Sequence, residues 1–234
     1  MSTARAFAEG YTSFWSQMLP TGDRYIRNRN LQIQRFAPPL SSSVETSQRS
    51  FVNELSFRLF SVSQARFETF SEEQLTDAIG QTTDYISRFR DSRSRHRKRP
   101  VKSEIEEALE LRIRLSKFFS ERIKKQRITF FPYFEGCGIV NACDGDLLVG
   151  ATLFEIKAGD RNLRLIDVKQ TLIYCALNYA KGDYIIDAVG FVNPRVGVFR
   201  IESLNDLALA TSGTTASFLL GDIVDFISQP AGSR

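Results

Sequence analysis

Between Asp144 and Lys157 apolar and polar positions alternate in two short runs, Asp-Gly-Asp-Leu-Leu-Val and Thr-Leu-Phe-Glu-Ile-Lys, joined by Gly150-Ala151. Alternation is the strand period, and a two-residue loop with Gly first suits a type II′ turn, whose first central residue needs a positive φ. Such a loop fixes the register. Val149 faces Thr152, Leu148 faces Leu153, Leu147 faces Phe154 and Asp146 faces Glu155, and one step further Asp144 meets Lys157. Leu147, Val149, Phe154 and Ile156 make one apolar face, and three carboxylates and a lysine gather at one end of the other. Like charges directly opposite each other destabilise a sheet. A cation held between the acids removes that penalty; a solvated edge hairpin with a Lys157–Asp144 salt bridge is the competing reading.

The pattern elsewhere is mainly helical. Residues 1–100 read as a polar-aromatic helical region. Phe51 to Phe60 has apolar residues at helical spacing, and Ser71-Glu-Glu73 starts a helix through Leu75, Ile79 and Tyr85. Phe14, Trp15, Tyr25, Phe36, Phe57, Phe60, Phe67 and Phe70 are expected to pack a helical cap, and residues 37–43 form a loop. A long helix is expected from Ser103 as N-cap with Glu106 three residues on, its stripe running Ile105, Ala108, Leu109, Leu115, Phe119, Ile123. Strands are expected at Ile128–Tyr133, Tyr184–Val192 and Val198–Glu202, and helices at about Asp167–Lys181 and after Thr214-Thr215. The order helix, strand, hairpin, helix, strand makes a mixed sheet flanked by helices, with the Tyr184 strand returning parallel to a neighbour. Two regions result, residues 1–100 with the arm at 88–102, and 101–234 with a C-terminal helix.

Composition narrows the class. The 234 residues are 42% hydrophobic and 25% charged, an ordinary globular balance. No apolar run approaches the ~18 residues of a membrane span, and the start of the chain lacks a basic, apolar leader pattern; a cytoplasmic protein is expected. Cys137, Cys143 and Cys175 form no CxxC pair and His96 is the only histidine, which argues for reduced thiols over zinc or a Cys-His nucleophile. Net charge is +4, but Arg88 to Lys102 carries eight basic residues against Asp91 alone. Such density suits an arm over a polyanion, with Arg93, Arg95, Arg97, Lys98 and Arg99 as its phosphate contacts.

Asp146 followed by Glu155-Ile-Lys157 resembles the core signature of the PD-(D/E)XK nuclease superfamily, and Gln170 with Tyr174 is similar to the QxxxY element of its RecB-like branch. The likeness spans about Ser103 to Glu202; the usual Pro-Asp is Gly145-Asp146 here. It implies a restriction-endonuclease-like α-β-β-β-α-β core and an Mg²⁺-dependent deoxyribonuclease, Mn²⁺ being able to substitute. It also implies Asp146, Glu155 and the Ile156 carbonyl as metal ligands, Lys157 orienting the attacking water, and Gln170 and Tyr174 supporting them. Asp144 competes for the Asp146 role, although register favours Asp146. A third acid from an early helix is expected to be Glu110 or Glu107, with Glu110 the metal ligand expected of the two and Glu135 a further candidate. Arg195 fits a phosphate contact or a turn tie and stays outside the catalytic set. The setting implied is a bacterial defence or repair system. With no GxxxxGK[ST] motif in the chain any ATP-driven step would fall to a partner, and self-association is left open. The alternative is a non-catalytic nucleic-acid-binding or scaffolding subunit.

Overall fold

The computed structural model describes residues 2–64, 69–88, 99–120 and 126–229; Phe67, His96 and Ile123 lie outside them. Three short helices come first, α1 (Ala4–Glu9), α2 (Thr12–Met18) and α3 (Gly22–Leu31), followed by β1 (Gln34–Arg35). Two longer helices, α4 (Arg49–Val62) and α5 (Glu72–Arg88), precede α6 (Lys102–Ser120). Then come β2 (Ile128–Phe130), β3 (Tyr133–Phe134), β4 (Cys143–Asp144), β5 (Leu147–Val149) and β6 (Thr152–Ile156). Next are α7 (Leu165–Lys181), β7 (Ala188–Asn193), β8 (Val198–Ser203), α8 (Leu204–Ser212) and α9 (Ala216–Ser228). Among the described residues the main sheet runs β1-β8-β7-β6-β5-β2, and β3 and β4 form a separate ladder. In the main sheet only the β6–β7 neighbours are parallel. The fold is a mixed α+β arrangement.

The hairpin forms in the expected register, Leu147 with Phe154, Leu148 with Leu153, Val149 with Thr152. Gly150 has φ 57° and Ala151 has no positive φ, as a type II′ turn requires. Two readings fail. First, the hairpin does not bury one face alone, and the competing solvated edge is excluded: β6 lies between β5 and β7, and both faces are covered. Second, Asp144 never reaches Lys157. It pairs with Tyr133 in the small ladder, because the Gly145 N–H bonds to the Pro132 carbonyl and turns the chain before Asp146.

Alternation sends Leu148 and Leu153 to one side, where they join Phe7, Trp15, Leu172, Ile173, Val189 and Ile223. Leu147, Phe154 and Val192 face the other, beneath Phe57 and Phe60 of α4 and Phe118 and Phe119 of α6. A third cluster ties α4, α5 and α6 through Leu55, Leu59, Ala78 and Leu111. Each such buried side chain contributes about 1.5–3 kcal/mol, so the helices of the first hundred residues help hold both faces of the sheet. Gly190 is required opposite Phe154: a Cβ there would lie 2.2 Å from that ring.

Smaller differences have local causes. The Ile128–Tyr133 strand breaks at Phe131-Pro132 into β2 and β3, since Phe131 takes φ 51°. β7 begins only at Ala188, because the Asn178 side chain occupies both the N–H and the carbonyl of Tyr184. α6 starts ahead of Ser103: the Glu104 carboxylate accepts the Val101 N–H at 2.9 Å, while Glu106 pairs with Lys102 instead. Ser71 and Gln74 form a reciprocal cap at the start of α5. α8 had no counterpart in the sequence reading. No single described helix is long and apolar enough to cross a membrane; α8 and α9 reach that length only as a pair bent by 70°.

Candidate functional site

Alternation along β6 puts Glu155 on the same side as Leu153, towards α7, and it is only 2% exposed. Its Oε1 forms an ion pair with the Lys157 ammonium, not the Asp144–Lys157 bridge weighed from sequence. The β5–β6 ladder ends at Leu147, and the backbone bend at Asp146 aims its Oδ2 at the Ile156 N–H, 2.7 Å away. The two acids therefore converge on the end of β6 without pairing directly across the ladder. Burial and the Asp146 charge push Glu155 up to about 7, against the opposing pull of Lys157. Burial also raises Asp146, with Lys157 and the Ile156 N–H acting the other way. Desolvation alone would lower the Lys157 pKa, but Glu155 and Asp146 outweigh it and its net direction is up. The centre holds one ammonium against two carboxylates that resist being charged together.

α7 closes one side. The Gln170 amide donates to the Tyr174 hydroxyl at 2.6 Å, as i, i+4 spacing allows. Tyr174 is buried, its ring stacked on Phe134 with centroids 5.6 Å apart. Burial together with Glu155 and Asp146 keeps its phenol protonated. Two residues to which the sequence assigns no site role complete this wall. Asp167, fully buried, takes both guanidinium nitrogens of Arg161 at 2.6 and 2.7 Å and the Arg164 N–H at 2.9 Å. Burial alone would raise its pKa, but these partners more than offset that and lower it. The loop carrying Arg161 is further fixed by Asn193, which donates to the carbonyls of Gly159 and Arg161.

On the other side the centre opens into a cleft of about 330 Å³, whose lining includes Asn53, Glu54 and Phe57 of α4, Ile86 of α5, Asp146, Lys157 and Arg161. The early-helix acid at this cleft is Glu54, not Glu110. Burial raises the Glu54 pKa against the pull of Arg58, and its charge in turn bears on Asp146. Glu110 is half exposed and pairs with Arg114, which holds the Pro38 and Pro194 carbonyls. Glu107 is committed to Arg195 at 2.6 Å, and Glu135 to Lys181 at 3.0 Å. Glu54 left one sequence signal: Ser50, Asn53, Glu54 and Arg58 fall on one helical face of α4. Arg195 is the turn tie: at 1% exposure it also donates to the Ala158 carbonyl and Asn53 Oδ1.

Asp146 Oδ1 and Glu155 Oε2 accept no hydrogen bond from the described residues. Two carboxylates and the adjacent Ile156 carbonyl make an all-oxygen set, which suits Mg²⁺, an ion held by one or two carboxylates with water completing its shell. Among the described residues no three His, Cys, Asp or Glu side chains converge as a ready-made metal cage. The three thiols are unpaired, with Cys143 and Cys175 pushed up to about 12 by burial. Of the basic arm, Arg99 is described and exposed; Arg93, Arg95, Arg97 and Lys98 lie outside the described residues. No family model, no curated protein and no solved structure matches this chain.

Proposed function

We propose that the protein is an Mg²⁺-dependent nuclease of the PD-(D/E)XK type that hydrolyses DNA phosphodiester bonds, Mn²⁺ being able to substitute. The observation that carries this reading is a pair of mutually repelling carboxylates, Glu155 buried and Asp146 half-buried at the cleft, with Lys157 in contact with Glu155 and lining the same cleft. Burying like charges is costly, and a divalent cation relieves the cost. The order α6, β2, β5, β6, α7, β7, with β7 parallel to β6, supports a restriction-endonuclease-like core.

Each residue then has a task. Asp146 and Glu155 each offer a free oxygen to the cation, beside the Ile156 carbonyl. Bound there, Mg²⁺ would neutralise phosphate charge and lower the pKa of water. Lys157 stays protonated and holds the attacking water or the developing negative charge. Tyr174, kept as a neutral phenol and oriented by Gln170, is a donor behind the pair. Glu54 is the third acid of the cleft. The basic run Arg88–Lys102 begins two residues after Ile86, which lines the cleft, and its Arg93, Arg95, Arg97, Lys98 and Arg99 are the proposed backbone contacts to DNA. A cytoplasmic defence or repair system, with any ATP-driven step on a partner subunit, is the setting we favour.

Purified protein incubated with plasmid and oligonucleotide substrates in Mg²⁺, Mn²⁺ or EDTA tests the reading. Wild type should cleave, EDTA should abolish cleavage, and Asp146→Ala and Lys157→Ala should each lose at least about 100-fold, the several kcal/mol expected of the cation and its partners. Equal, negligible cleavage by all three proteins would sink it in favour of a non-catalytic binding role.

A further inference from the structure

Phe131 interrupts what would be one continuous strand. It adopts φ 51° immediately before Pro132, although the residue before a proline favours extended backbone and bulky side chains avoid the left-handed region. Such a conformation persists only where the surroundings impose it, and it tends to mark functional sites. Here the Phe131 N–H donates to the carbonyl of Asp146 at 3.1 Å, so the strained residue is fastened to the acid pair. The turn leaves the ring 37% exposed, its centroid 5.2 Å from Phe57 in an edge-to-face contact. Phe57 lines the cleft. Tyr85, at the end of α5 beside the cleft residue Ile86, is 42% exposed. The Arg58 guanidinium lies 5.9 Å from its ring and is held by Glu54 at 2.9 Å and Gln81 at 3.2 Å. After burial, the Glu54 and Asp146 charges are the main influences raising the Tyr85 pKa, which sets this ring in the field of the same centre.

We infer that the exposed rings of Phe131, backed by the buried Phe57, and of Tyr85 form an aromatic rim that stacks an unpaired nucleobase, so that the strand presented to Asp146 and Glu155 is single-stranded. Aromatic faces flanked by cations such as Lys157 and Arg58 are how proteins grip unpaired strands: the ring stacks the base and the cations follow the backbone. Bases inside a duplex already stack on each other and present no free face. A cleft of about 330 Å³ is in the range that holds one small ligand and is far from a duplex groove. This inference rests on the cleavage site proposed above, and binding separates the two.

The test is fluorescence anisotropy with a labelled oligothymidylate, alone or annealed to oligoadenylate, in Ca²⁺ so that binding is read apart from cutting. Wild type should prefer the single strand. Phe131→Asn removes the ring but tolerates the left-handed backbone; it should weaken single-strand binding by about 5- to 150-fold, the worth of one stacked base, with duplex binding unchanged. Phe131→Tyr should bind as wild type, and Tyr85→Leu, on a separate helix, should show a smaller loss of the same kind. Wild-type affinity in Phe131→Asn, or equal wild-type affinity for single strand and duplex, overturns the inference. Ring-dependent binding without any Mg²⁺-dependent cleavage would remove the nuclease reading and keep the rim. Cleavage with no dependence on Phe131 would do the reverse.

Discussion

Glu155 and Asp167 are both sealed from solvent, 2% and fully buried, and each touches a cation, yet their acidities move in opposite directions. Asp167 meets a planar guanidinium through both oxygens and also receives a backbone N–H, so the partners of its charge outweigh burial. Glu155 has one ammonium to share with Asp146, so burial and repulsion prevail. Two carboxylates of equal burial thus divide the labour. Asp167 holds the loop after β6 in place, and Glu155 is held in a state that a further cation relieves. A satisfied buried ion pair points to architecture, whereas an unsatisfied one in a cleft points to chemistry.

The largest expected effect separates the two directly. Asp167→Ala strands the Arg161 guanidinium and the Arg164 N–H and should cost about 2–4 kcal/mol, the upper range for a broken buried pair being discounted because Arg161 is partly exposed. Glu155→Gln keeps the shape and removes a repelled charge. It should leave stability unchanged or raise it by about 1 kcal/mol in EDTA at pH 8. Urea denaturation of both variants reads this difference. Equal losses would erase the distinction.

A subtler contrast lies in pH. Glu155 has a folded pKa above its unfolded value of 4.5, so between about 4.5 and about 7 the folded state holds a proton that the unfolded state has released. Stability of the metal-free protein should fall as pH rises through that window, and Glu155→Gln should flatten the slope. The Asp167 pKa is lowered, so its contribution is present above 3.8 and is lost only as pH falls below that. Thermal melts from pH 3 to pH 8 in wild type and Glu155→Gln would resolve the two limbs. Mg²⁺ should raise the melting temperature at pH 8 much more than at pH 5, where Glu155 already holds a proton.

What could be read beforehand follows from how local each cause is. The Gly150-Ala151 turn and strict alternation suffice to dictate the β5–β6 register, and Gln170 and Tyr174 share a helix face by spacing alone. The expected pairing of Asp146 with Glu155 does not form, because the ladder ends at Leu147 and the bend at Asp146 is set by contacts outside the hairpin, and the hairpin's burial on both faces depends on β7 arriving from about thirty residues away in sequence. Glu110 lies away from the cleft for the same kind of reason. Its own helix gives no sign that α4, from the first hundred residues, lines the cleft beside Asp146 and Lys157 and brings Glu54 there. Asp167 and Arg161 are ordinary charges in sequence, and only the loop that folds them together gives them a role.

The smallest effect tests that last point. Glu110 is a half-exposed i, i+4 partner of the more buried Arg114, which keeps the Pro38 and Pro194 carbonyls when the acid is removed, so the pair is worth a few tenths of a kcal/mol. Glu110→Ala should change stability by less than about 0.5 kcal/mol and leave Mg²⁺-dependent cleavage as in wild type. Glu54→Gln should be equally mild for the fold, because Arg58 keeps Gln81 as a partner. It should nevertheless raise the Mg²⁺ concentration needed for half-maximal cleavage by about 10-fold or more, as expected for a carboxylate acting beside the ligand pair. An Mg²⁺ titration of the two variants decides between the helices. If Glu110→Ala shifts the titration and Glu54→Gln does not, the third acid comes from α6 after all, and the cleft on the α4 side is not where the phosphate sits.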